Sequence, residues 1–110
     1  MIAVLALAAG IVIGLLLEPN LPSFLTPYLP IMIVAALDAL FGALRAWLDG
    51  TYSDRVFATS FFSNVLIAAL IVFVGDQIGV GTQLSTAVVV VFGIRIFSNA
   101  AAIRRAVLRA

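Results

Sequence analysis

The sequence predicts an all-α membrane protein with four transmembrane helices and both termini in the cytoplasm, and three observations carry that reading. The chain of 110 residues is 65% hydrophobic and 10% charged, with a mean hydropathy of +1.27; a water-soluble domain of that length has too little interior to hide so much apolar surface. The apolar residues fall into four runs, most of them long enough to cross a hydrocarbon core of about 30 Å. The arginines gather at one set of segment ends, the asymmetry that orients membrane proteins. Residues 1–110 are assigned to a single transmembrane domain, since the apolar runs leave no length for a second.

The first span covers about residues 1–17. It lacks the basic start of a secretory signal and has no convincing small-residue cleavage site near Glu18, so it is read as a retained helix. At 1.5 Å per residue it reaches about 25 Å, a little short of the core thickness. All four prolines follow, at Pro19, Pro22, Pro27 and Pro30. They deny residues 18–30 regular helical hydrogen bonding. Leu21, Phe24, Leu25, Tyr28 and Leu29 then suit a connector lying along the membrane interface.

The second span is placed at about 31–48 and the third at about 56–74, after the polar turn from Asp49 to Asp54. The segment Gly75-Asp76-Gln77-Ile78-Gly79-Val80-Gly81 has the glycine density of a tight exposed connection, with Gly75 placed to end a helix. The fourth span runs over about 84–103. Arg45 and Arg55 flank the second turn, and Arg104, Arg105 and Arg109 form a basic tail, whereas the other two connections carry Glu18 and Asp76. The positive-inside rule therefore sets both termini and the second turn in the cytoplasm.

Counting along the helices from those cytoplasmic ends ranks the polar residues by depth. Asp38 lies roughly 15 Å up its span, and Asn64 and Arg95 roughly 12 Å up theirs. Three helices thus bring an acid, an amide and a guanidinium to one layer. Arg45 and Asn99, roughly 4 to 6 Å from the same edge, make a second layer. Asp38 and Arg45 face nearly the same way, and Arg95 and Asn99 are an i,i+4 pair. An ion pair between Asp38 and Arg95 is expected, because a carboxylate and a guanidinium suit a low-dielectric site only together; Asn64 is expected to satisfy donors or acceptors left over. Small residues at four-residue spacing, Ala6-Gly10-Gly14 and Ala35-Ala39-Ala43, together with Gly42 and Gly93, mark expected helix-packing positions.

Several function classes lose their ingredients. Cysteine and histidine are absent and every basic residue is Arg. That removes thiolate nucleophiles, imidazole bases and the commonest transition-metal ligands. Ser60, Ser63 and Ser98 have no His or Lys to activate them. Asp38-x3-Gly42-x2-Arg45 partly matches the acidic motif of CDP-alcohol phosphotransferases, but Phe41 stands where that family has a carboxylate and the downstream paired aspartates are missing, so a two-metal site lacks ligands. No enzymatic role, no cofactor and no metal are expected. A net charge of +1 gives no electrostatic surface for nucleic acid.

The segments Ala36-Leu37-Asp38-Ala39-Leu40-Phe41-Gly42-Ala43-Leu44-Arg45-Ala46, Phe61-Phe62-Ser63-Asn64, Gly75-Asp76-Gln77-Ile78-Gly79 and Val91-Phe92-Gly93-Ile94-Arg95-Ile96-Phe97-Ser98-Asn99, with Pro27-Tyr28-Leu29 and Ile103-Arg104-Arg105, resemble the signatures of the bacterial small basic protein family over nearly the whole chain. The resemblance implies a multi-pass protein of the bacterial plasma membrane, of uncharacterised function, whose genes in Gram-positive bacteria often lie near cell-envelope or division genes. It marks Asp38, Gly42, Arg45, Asn64, Gly93, Arg95 and Asn99 as motif residues with no catalytic role attached. The chain departs from the family's name in being barely basic and free of lysine.

Together these readings suggest a scaffold or accessory subunit of an envelope- or division-associated complex, with Asp38, Asn64 and Arg95 locking the helices. Its expected partners are the lipid bilayer and either a second copy or another membrane protein, and the basic tail suits anionic lipid. The alternative is a small proton, ion or solute transporter or channel subunit using Asp38 and Arg95, although the outer half of each span is almost purely aliphatic.

Overall fold

The computed structural model describes residues 1–17, 23 and 26–109. The expected interfacial course of residues 18–25 falls almost wholly outside them. Among the described residues there are four helices, α1 (Ile2–Leu17), α2 (Leu29–Leu48), α3 (Asp54–Gln77) and α4 (Gly81–Leu108), with a 3-10 turn at Thr26–Tyr28 leading into α2. Three of them, α2, α3 and α4, are long and apolar enough to cross a membrane. The 16-residue α1 is more apolar still but shorter, about 24 Å, and is not of crossing length.

Each membrane-length helix overruns its expected bounds, for local reasons. Helix α2 starts at Leu29 because Pro30 falls in its first turn, where a missing N–H leaves no helical hydrogen bond unmade. Helix α3 begins behind Ser53, whose side chain accepts from the Val56 N–H at 3.5 Å, and carries Asp54 in its first turn, where a carboxylate complements the helix dipole. Helix α4 runs on to Leu108, so Arg104 and Arg105 are exposed on its last turns and are not a separate tail; Arg109 follows as the left-handed cap.

Both tight turns end their helices the same way. Gly50 (φ 77°) and Gly79 (φ 85°) adopt the left-handed backbone that glycine reaches without steric penalty. The N–H of Gly50 bonds to the Trp47 carbonyl and that of Thr51 to Ala46; likewise Gly79 bonds to Asp76 and Val80 to Gly75, at 2.8 to 3.3 Å. These are paired Schellman closures. Gly75 therefore does not end α3. It is a buried contact glycine: a Cβ there would meet the Leu84 side chain and come within 3.3 Å of the Gly81 Cα.

Helix α2 packs against all three others, most extensively against α4, while α1 lies on α2 and α3. Met1, the α2–α3 turn and the Arg45–Asn99 contact share one end of the molecule, where the Met1 amino group sits 3.0 Å from the Asp54 carboxylate. Towards the other end Ile31, Ala35, Ala68, Val72 and Phe92 form one apolar cluster, with Tyr28, Val34, Val65, Val88 and Val89 against it. Few large side chains are interior otherwise. Leu66, Ile67, Leu70, Ile94 and Phe97 are all more than half exposed, an outward apolar face suited to lipid contact.

Candidate functional site

The polar centre forms where α2, α3 and α4 meet. Asp38 lies on the buried side of α2, only 3% exposed, and is the sole charged residue among the buried ones described. Its Oδ2 is 3.2 Å from Arg95 Nη2 on α4. The Arg95 guanidinium also lies over the Phe92 ring one turn earlier, 5.8 Å from the centroid, within cation–π range. The charges are unequally covered, because the Arg95 side chain is 51% exposed. Asp38 Oδ1 is buried and, among the described residues, has no hydrogen-bond partner.

Asn64 reaches this layer without joining the pair. It lines the same cavity as Asp38 and Arg95, yet it does not supply the missing partner of Oδ1. The second layer is a direct contact: Arg45 Nη1 donates to Asn99 Oδ1 at 3.1 Å, again joining α2 to α4. Gly42 fits between the two layers, with space for a Cβ ending 3.6 Å from Asn99 Nδ2. The other expected packing glycines behave differently. Gly10, Gly14 and Gly93 have open space where a Cβ would stand, so none is seated against a neighbouring helix, and Gly10 and Gly14 line a wide apolar cleft between α1 and α2.

A cavity of about 200 Å³ extends from the Asp38–Arg95 pair to the α2–α3 turn. Ala39, Gly42, Ala43 and Ala46 form one wall. The small stripe on α2 thus leaves room beside a charge as well as allowing helix contact. Val56, Phe57, Ser60, Phe61 and Asn64 on α3 form the other wall, and Thr51, Tyr52 and Ser53 the end at the turn. Sequence reasoning missed this arrangement, although the signal was present: Ser53, Ser60 and Asn64 recur at the seven- and four-residue intervals that place them on one face. At the turn, the Tyr52 hydroxyl donates to the Asp54 carboxylate and its ring packs at 6.2 Å on Phe57. Partial burial, that hydrogen bond and the charge of Asp54 push the Tyr52 phenol up to about 12, so it stays a neutral donor. Among the described residues no three acidic side chains gather as a metal would require.

Three helices long and apolar enough to cross a membrane, bridged by a charged pair, are compatible with a small helical membrane protein. Residues 21–108 match the family described as "Protein of unknown function (DUF1290)". The "Small basic protein" of Bacillus subtilis is 43% identical over 96% of this chain and 85% of its own length. Uncharacterised proteins of Mycobacterium bovis and Mycobacterium tuberculosis are each 63% identical over 96% of this chain and 87% of their own. The chain belongs to this small basic protein family, a bacterial family of unknown function. No solved structure matches it.

Proposed function

We propose that the chain is an integral protein of the bacterial plasma membrane, both termini cytoplasmic, acting as a scaffold or accessory subunit of a cell-envelope or division-associated complex. The observation that carries this is the Asp38–Arg95 contact between α2 and α4: among the described residues the most buried charge is spent on joining two helices. A buried pair of this kind selects one register of the helices over others, a structural role. The arginines at 45, 55, 104, 105 and 109 support the orientation, and the wide apolar outer faces support association within the bilayer.

The occupants of those faces are a second copy of the chain or another membrane protein. Crosslinking in native membranes followed by purification in mild detergent is expected to recover a defined homo-oligomer or a repeatable partner. Consistent recovery of a lone monomer from both steps would count against the scaffold.

A further inference from the structure

We propose that the cavity between α2 and α3 is a water-filled vestibule, open at the Thr51–Ser53 turn and closed at Asp38 and Arg95, that admits water and other small polar solutes from that side only. The inference rests on the membrane-spanning reading, and it unites observations that are otherwise separate. A guanidinium that is half exposed roughly 12 Å inside a hydrocarbon layer is expensive unless water reaches it. Asp38 is 3% exposed, so the group that cavity water reaches at the inner end is the Arg95 guanidinium.

The cavity has the size and lining for this. Its 200 Å³ holds several waters at roughly 30 Å³ each. Thr51, Tyr52, Ser53, Ser60 and Asn64 line it beside the apolar Val56, Phe57 and Phe61, so hydroxyls and an amide occur along it between the turn and the charges. On the far side of the pair a cleft of about 310 Å³ between α3 and α4 shares Asn64 and Arg95 but is otherwise lined by apolar side chains such as Ile67, Ile71, Leu84 and Val91, and the cluster of Ile31, Ala35, Ala68, Val72 and Phe92 offers no polar partner. The hydrated path therefore stops at the ion pair.

The chain has no cysteine, so each introduced thiol is the only one present. Single variants Ser53→Cys, Ala39→Cys, Ser60→Cys, Asn64→Cys and Leu70→Cys of the full chain, each confirmed monodisperse, are reconstituted in sealed vesicles; Leu70 is exposed on the outer face of α3 and lines none of the cavities described. They are then treated from either side with a small, membrane-impermeant methanethiosulfonate ammonium reagent. Only a hydrated thiol ionises and reacts, so the cavity positions are expected to label on the order of tenfold or more faster than Leu70→Cys, from the side that labels Ser53→Cys. Cavity positions as inert as Leu70→Cys would overturn the vestibule, as would labelling from the opposite side. If Asn64→Cys fails to fold, Ala39→Cys and Ser60→Cys still decide. Equal labelling of Ser53→Cys and Leu70→Cys from both sides would overturn the membrane-spanning reading itself, a result distinct from inert cavity positions alone.

Discussion

At the residue scale, the unequal burial of Asp38 and Arg95 makes the two halves of the pair unequal in energy. Removing Arg95 strands a carboxylate that is 3% exposed, and a buried charge left alone costs about 3–5 kcal/mol. Removing the charge of Asp38 leaves a guanidinium that is already half exposed and retains Phe92 beneath it, so the loss is nearer that of one hydrogen bond to a charged group, about 1.5–3 kcal/mol. Arg95→Gln is therefore expected to lower thermal stability in detergent more than Asp38→Asn. Exchanging the charges, Asp38→Arg with Arg95→Asp, should recover part of the folded yield. Unchanged melting temperatures in both single variants would dismiss the lock. Asn99 gives the shallower comparison: Asn99→Ala removes the acceptor of Arg45 near an exposed edge, where the loss is about 0.5–1.5 kcal/mol.

At the scale of the elements, the glycines separate into those with a neighbour and those without. Gly75 and Gly81 sit where α3 and α4 cross behind their turn; a Cβ on Gly75 meets Leu84, and one on Gly81 overlaps the Asp76 carboxylate. Gly75→Val should therefore destabilise the chain by about 1–3 kcal/mol through overpacking. Gly93→Ala, with open space around it and a helix on both sides, should gain up to about 1 kcal/mol of helix propensity. Thermal unfolding of the two variants in one detergent tests the contrast, and a loss in Gly93→Ala as large as in Gly75→Val would refute it. This distinction was beyond the sequence. Spacing at i and i+4 identifies a smooth stripe on a helix, but which stripe is covered depends on how the helices pack. Gly10-Gly14 and Ala35-Ala43 share the pattern, yet only Ala35 and Ala43 are buried. The depth layers were legible because rise per residue is fixed once a helix end is known: Asp38 with Arg95 and Arg45 with Asn99 both form contacts. The ends themselves were less legible. Gly75 and Gly79 look alike in sequence, and the choice between them was made by the close approach of α4 to Gly75.

At the scale of the whole molecule, the distribution of polar groups along the 45 Å long axis decides between a support and a conduit. Arg45, Asn99, Tyr52, Ser60, Asn64, Arg95 and Asp38 all belong to the half that ends in the α2–α3 turn, and beyond Asp38 stand the cluster of Ile31, Ala35, Ala68, Val72 and Phe92 and, beside it, a cleft lined by Ile67, Ile71, Leu84 and Val91. A polar solute that reached Asp38 from the turn would next have to shed its hydration among these aliphatic and aromatic side chains. For an ion that step is costly enough to stop passage. Vesicles containing the protein are therefore expected to hold an imposed proton or sodium gradient as long as protein-free vesicles do, with Asp38→Asn no different from the parent chain. Gradient decay followed with a pH-sensitive dye makes the comparison. A decay that requires Asp38 would mean that the apolar cluster opens in the membrane, and it would turn the same aspartate and arginine from a helix lock into the centre of a transport path.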